Sequence, residues 1–269
     1  MRPLRALIGA GHEIAFVVTQ PDRRRGRGTG TRPSPVKAAA LELGIEVRTP
    51  ERAREVVDDV AESGAQLGVV VAFGQILPTA LLESTPLGFV NLHFSLLPRW
   101  RGAAPVERAI LAGDDETGVA VMRVDAGLDT GPVFATTRLP ITPSVTAGEL
   151  REQLVVAGTE LLVTTLPALA TATPVEQTGE PTYAEKLTVD EFRLDPDRPA
   201  DELDRIVRAG NPRPGAWFEL DGKRIKVWRA HTDGDRLVLD DVQPEGRARM
   251  AAAAWRAGLR VELPEFGTR

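Results

Sequence analysis

The chain contains no cysteine, which excludes a disulfide framework and thiolate chemistry. Histidine is almost as scarce, with only His12, His93 and His231 present. A transition-metal site draws on more imidazole or thiolate than that, so no metal is expected. No apolar run approaches the roughly 18 residues that cross a bilayer, so no membrane partner is expected either. The opening MRPLRALIGAGHEIAF carries two arginines but no long apolar stretch and no small-residue cleavage site. It reads as folded structure rather than a leader. These absences fit a reducing cytoplasm, and a cytoplasmic monomer is the expectation. A net charge of −5 argues against a surface coated all over for nucleic acid, so any such contact must come from local clusters. No internal repeat is visible.

The 269 residues allow one large domain or two modest ones, and a hydrophobic share of 42% is ordinary for a globular protein. The pattern predicts strands over residues 13–19 (EIAFVVT), 45–47, 67–73 (LGVVVAF), 88–92, 119–124 and 132–137. Helices are predicted over 1–11, 36–43, 51–63, 78–83 and 103–112, the second entered through Pro35. The continuous apolar run 67–73 reads as a parallel strand buried on both faces. Such alternation indicates an α/β layer fold. Thr146 and Glu149 have capping-box spacing at the start of a helix running to about residue 166. Residues 171–183, rich in Thr, Pro, Glu and Gly, read as a linker. Beyond it lie a helix at 201–209, short strands at 216–220, 224–228 and 237–239, and a helix at 248–257. The expected division is 1–170, a linker at 171–187, and a small second domain at 188–269.

Chemistry concentrates in residues 90–106, VNLHFSLLPRWRGAAPV. Asn91 and His93 flank Leu92, and a period of two puts both polar side chains on one strand face. Ligands of open α/β sheets sit at the carboxyl ends of strands, so these groups point at a crevice. A second element, DAGLDTG at 125–131, sets two carboxylates among glycines that allow close backbone approach. Alone, neither is specific. A strand-end histidine is usually a satisfied structural residue, and an Asp-x-Gly-x-Asp turn suits calcium as readily as catalysis.

Together, Asn91–Leu92–His93, the Ser95–Leu96–Leu97–Pro98 turn and Asp129 in DAGLDTG resemble the folate-dependent formyltransferase family. The resemblance implies a Rossmann-like catalytic domain, with Asn91, His93 and Asp129 as catalytic trio and 10-formyltetrahydrofolate as cosubstrate. These residue types suit the reaction. An amine attacking a formyl carbon builds an oxyanion, to which an Asn amide and an imidazole can donate. Asp129 can hold the histidine and accept the amine proton. Residues 69–78 (VVVAFGQILP) look like the family segment lining the folate pocket. They bring in Phe73, Gly74 and Ile76 beside Ser95, Leu96, Leu97, Pro98 and Asp125 as cosubstrate-binding residues.

Residues 19–37, TQPDRRRGRGTGTRPSPVK, hold Arg23, Arg24, Arg25, Arg27, Arg32 and Lys37 against Asp22 alone. On composition this is a solvated charge run in a mobile, glycine-broken loop. The family members that formylate methionyl-tRNA carry the same pattern. The resemblance thus implies initiator methionyl-tRNA as partner, met by Arg23, Arg24, Arg25, Arg27 and Lys37, and a role in translation initiation. TYAEKL, NPRPGAWF, KVWRA and VQPEGRARM are similar to that branch's second domain, an OB-like barrel. There Lys223, Arg224, Lys226 and Arg213 could form a phosphate-facing strip or simply protect a strand edge.

Two departures stand out. The family opens with a strand that lies mid-sheet, yet residues 1–11 already read as the following helix. Either the start lies upstream, the expectation favoured here, or the sheet closes in another way. Too little chain follows KVWRA for a five-stranded barrel, so the OB-like domain is expected to be shortened. The alternatives are the same chemistry on a sugar nucleotide or other small amine, and an inactive tRNA- or folate-binding remnant.

Overall fold

The computed structural model describes residues 1–24, 31–259 and 261–267. In chain order the first half comprises α1 (Arg2–Gly9), β1 (Val17–Val18), β2 (Arg23–Arg24), β3 (Thr31–Arg32), α2 (Pro35–Glu42) and β4 (Val47–Arg48). There follow α3 (Val57–Glu62), β5 (Gly68–Val70), α4 (Thr79–Leu82), β6 (Phe89–His93), β7 (Arg101–Gly102), α5 (Pro105–Ala112), β8 (Glu116–Arg123) and β9 (Val133–Pro140). The rest is α6 (Ala147–Thr165), β10 (Tyr183–Ala184), α7 (Ala200–Gly210), β11 (Ala216–Leu220), β12 (Lys223–Asp233), β13 (Arg236–Pro244), β14 (Met250–Ala251) and α8 (Ala252–Arg256). Among the described residues no helix is long and apolar enough to cross a membrane.

Two compact units emerge. The first is Met1–Arg101, Gly118–Thr137 and Leu154–Thr182; the second is Gly102–Thr117, Arg138–Gln153 and Tyr183–Arg269. They interleave along the chain, unlike the linear division expected from composition.

In the first unit, β5 and β6 run parallel, β6 and β8 antiparallel, and the strand order is β5-β6-β8-β9. β1 and β4 form a separate parallel pair. Among the described residues, then, β1 and β5 are each laddered on one side only, and no other strand closes the sheet between them. No described strand takes the mid-sheet place that the family resemblance assigns to a first strand. This arrangement also corrects the expectation for residues 67–73. The ladder covers only Gly68–Val70, and those residues are half-buried, because the strand is an edge. The strand expected over 13–19 shrinks to Val17–Val18 for the same reason. Gln20 Nε2 donates to Phe73 O at 2.9 Å, tying the segments that follow the two edges.

The core here gathers Ala53, Val56, Val60, Leu81 and Phe89, with Phe16, Val18, Val70 and Val124 against it. Each large apolar side chain so buried contributes about 1.5–3 kcal/mol. The helix predicted over 51–63 begins instead as a 3-10 turn, Ala53–Val56.

In the second unit, β11-β12-β13-β14 form an antiparallel sheet. The short strands expected at 224–228 and 237–239 are parts of a long hairpin, paired from Ile225↔Pro244 to Asp233↔Arg236. The helix expected from 248 starts only at Ala252, because Met250 and Ala251 pair with β13. Four strands in one antiparallel sheet accord with a shortened OB-like domain. Helix α7 packs on β12 through a stripe that includes Leu203, Ile206 and Val207. Its polar face is laced by i,i+4 pairs, Arg205–Asp201 and Arg208–Asp204. The capping box is present: Thr146 N donates to Glu149 Oε2 at 2.9 Å, and Glu149 N to Thr146 Oγ1 at 3.4 Å.

Candidate active site

β6 supplies two of the three head groups. Residues 89, 91 and 93 share one face of the strand; Phe89 is buried in the core, Asn91 half-buried and His93 only 5% exposed. Pairing on both sides, Val70↔Asn91 and Asn91↔Met122, sets the register.

The third head group comes from the loop between β8 and β9. Asp125 Oδ1 accepts from Gly127 N at 3.0 Å and from Thr130 Oγ1 at 2.6 Å, folding DAGLDTG on itself. A Cβ on Gly127 would stand 2.1 Å from Thr130 Oγ1, and one on Gly131 2.1 Å from Arg123 O. Both glycines therefore serve close packing. Asp129 adopts a left-handed φ of 52°, a conformation that costs a residue with a side chain about 1 kcal/mol or more.

The loop delivers Asp129 between the β6 pair. Its Oδ1 lies 3.5 Å from Asn91 Nδ2, and its Oδ2 lies 3.6 Å from His93 Nδ1. The carboxylate side chain is 17% exposed. His93 Nε2 is 2.9 Å from Trp100 O. A carbonyl oxygen only accepts, so Nε2 carries a proton and the Nδ1 edge is the one turned to Asp129. Trp100 itself has φ 61°. The trio named from sequence thus converges, with one carboxylate oxygen toward each partner.

The other expected residues fall variously. Ser95 is fully buried, and its hydroxyl donates to Arg99 O at 2.6 Å, so it braces the turn rather than facing a ligand. Asp125 likewise serves its own loop. Leu96, Leu97 and Pro98 are half-buried. Phe73 offers its carbonyl to Gln20, Gly74 has φ 77°, and Ile76 is 87% exposed.

The basic segment 19–37 is expected as a loop, but its ends form a hairpin stem, Arg23↔Arg32 and Arg24↔Thr31. Arg25 and Arg27 lie outside the described residues. Lys37 Nζ donates to Asp22 Oδ2 at 2.8 Å. In the second unit, the Arg224 guanidinium lies 3.8 Å from the centre of the Trp217 ring, and Lys226 Nζ donates to Pro214 O at 2.9 Å.

Sequence reading missed two kinds of participant. The Trp100 carbonyl has no residue-type signature. Gln177, in the presumed linker, donates to Asp129 O and Gly131 O, both at 2.8 Å. Nothing but a lone amide in a polar stretch marked it.

Known proteins resemble this chain in sequence and in fold. Family models described as formyl transferase, and as formyl transferase, C-terminal domain, match residues 4–166 and 186–236. The methionyl-tRNA formyltransferase of Ruegeria pomeroyi is 48% identical over 245 residues, 88% of this chain and 81% of that protein. Its counterpart from Symbiobacterium thermophilum is 45% identical, over 99% of this chain and 90% of that one. Among solved structures, methionyl-tRNA formyltransferase from Clostridium thermocellum aligns with a TM-score of 0.60 at 19% identity, over 85% of this chain and 97% of that chain. HypX from Aquifex aeolicus, in complex with tetrahydrofolic acid, aligns with a TM-score of 0.64 at 15% identity, over 89% and 46%. At those identities the structural likeness speaks to fold alone. The family models and the curated relatives go further, and the chain belongs to the formyl transferase family.

Proposed function

We propose that this chain transfers the formyl group of 10-formyltetrahydrofolate to the amino group of methionyl-initiator tRNA, with Asn91, His93 and Asp129 around the reacting carbon. The observation that carries the reading is the convergence of an amide, an imidazole and a carboxylate at one end of β6. The acceptor follows from relatives 45–48% identical that bear the name methionyl-tRNA formyltransferase.

The residues present suit a folate. Ile76 presents an exposed apolar side chain that a flat ring can cover, and there is open space where a Cβ on Gly74 would stand. Phe73, Gly74, Ile76, Leu96, Leu97 and Pro98 would hold it, with Ser95 and Asp125 shaping the two loops. Bound there, the cosubstrate supplies an activated one-carbon acyl unit. Asn91 Nδ2 donates to the acyl oxygen as charge develops on it, and one such donor lowers a barrier by about 2.7–4 kcal/mol. His93 is held by Nε2–H on Trp100 O, so it contributes from Nδ1. Protonated there and balanced by Asp129, it is the second donor. Asp129 then takes the proton the amine sheds, directly or through water; as the oxyanion collapses, the bond from the carbon to N10 breaks and that nitrogen takes up a proton, leaving tetrahydrofolate and the N-formylated amine. An α-amine titrates near about 7.7–8.0 in reference compounds, so a free base is at hand near neutrality and positioning is the main task.

The basic segment 19–37, with Arg23, Arg24, Arg25, Arg27 and Lys37, is the proposed tRNA contact. Lys37 would act by securing the hairpin base through Asp22. Residues 1–170 are taken as the catalytic domain, 171–187 as linker and 188–269 as the OB-like domain, in a cytoplasmic monomer. Single-turnover transfer to charged initiator tRNA, run beside an amino-sugar nucleotide, tests the reading. Transfer to the tRNA alone supports it; transfer to the sugar nucleotide alone contradicts it.

A further inference from the structure

We infer that Gln177, oriented by Arg101, is a positioning residue that sets the spacing between Asp129 and His93. The inference rests on the trio acting as proposed above. Arg101 Nε and Nη2 both donate to Gln177 Oε1, at 3.0 and 2.7 Å. A guanidinium cannot accept, so the amide oxygen must face it and Nε2 must face away. Nε2 donates at 2.8 Å to both Asp129 O and Gly131 O. Two carbonyls of the Asp129 loop thus hang on one amide whose orientation a third residue dictates.

The surrounding segment makes this a bridge rather than a local contact. At one end Val175 exchanges two 2.8 Å hydrogen bonds with Val133, at the start of β9. At the other, Thr182 O accepts from Arg101 N at 2.9 Å, and Thr182 Oγ1 accepts from Trp100 N at 2.9 Å. Residues 175–182 therefore join the loop that carries Asp129 to the turn whose Trp100 carbonyl anchors His93. Asp129 and Trp100 both sit at positive φ. Such conformations persist only where neighbours over-determine them, and Gln177 and Thr182 supply that restraint. Without the Gln177 N–H groups, the Asp129 loop relaxes and the carboxylate drifts from Nδ1.

Gln177→Glu tests this directly. It keeps the side-chain length and a partner for Arg101 but removes both donors to the loop. Misplacing a reacting group by about 1 Å can cost on the order of 100-fold, so kcat for formyl transfer should fall about 10- to 100-fold. KM for 10-formyltetrahydrofolate and for methionyl-tRNA should stay close to the parent's, as should the melting temperature. Gln177→Met, which buries no charge, should show the same split. A kcat near the parent's in both variants overturns the inference. So does a loss that appears in KM or in stability instead, because a merely structural strap would do that. Asp129→Asn, measured alongside, separates the failures. If it is inactive while the Gln177 variants are normal, only the clamp is wrong. If it turns over normally, the assigned trio falls and the clamp falls with it.

Discussion

The long hairpin of the second unit and the strands around the catalytic cluster are built in opposite ways. β12 and β13 pair over most of eleven and nine residues and bury Ile225, Val227, Leu237, Leu239 and Val242 on one side. Their order comes from the ladder. In the first unit β6 is laddered on both sides, but β1, β4 and β5 are two or three residues long, and among the described residues β1 and β5 are open on one side. There the decisive positions are held by side-chain bonds to backbone: Gln20 to Phe73, Ser95 to Arg99, His93 to Trp100, and Gln177 to the Asp129 loop. The difference teaches that a regular ladder gives stability, whereas placing three small head groups around one carbon calls for irregular backbone held from several directions.

Substitutions that separate stability from chemistry sharpen this contrast. The largest effect on stability should come from Leu203→Ala in α7. Leu203 is completely buried, and truncating such a leucine costs about 2–5 kcal/mol. Denaturant unfolding should show that loss, while kcat per folded molecule stays at the parent value. A matching drop in kcat would break the comparison. Asn91→Ala should do the reverse. Removing one oxyanion donor lowers kcat by about 100- to 1,000-fold, with the melting temperature little changed.

The smallest effect concerns acid. Hydrogen bonds from the Thr146 backbone and hydroxyl, then from Arg229, lower the Glu149 carboxyl from 4.5 to about 2. A carboxylate depressed by folding stabilises the protein above its unfolded value, and that contribution is lost as pH falls. Stability should therefore decline from about pH 4.5 towards pH 2. Glu149→Gln should flatten that part of the profile in acid titration followed by circular dichroism. Because Glu149 is substantially exposed, solvent screening keeps the effect small. An unchanged profile would remove Glu149 as its source.

The same contrast explains what could be read from the amino acids. Strand and helix alternation was legible because apolar periodicity reports burial, and the capping box was legible because Thr146 and Glu149 lie three residues apart in sequence. Asn91, His93 and Asp129 stood out because their motifs are local, three and seven residues long. The edge position of β5 was not legible, because an apolar run reports composition and not what lies beside it. Neither was the hairpin stem at Arg23↔Arg32, where a charge run reads as a solvated loop. Gln177 and the Trp100 carbonyl were hidden for a deeper reason. One acts across 48 residues of chain from Asp129, and the other is backbone, which every residue shares.

The most direct measurement of the central claim is single-turnover formyl transfer to charged initiator tRNA by His93→Ala, with the melting temperature recorded on the same preparation. Loss of a positioned acid or donor predicts a rate at least about 100-fold lower in a protein that still folds. A folded variant that transfers formyl at the parent rate would contradict the account.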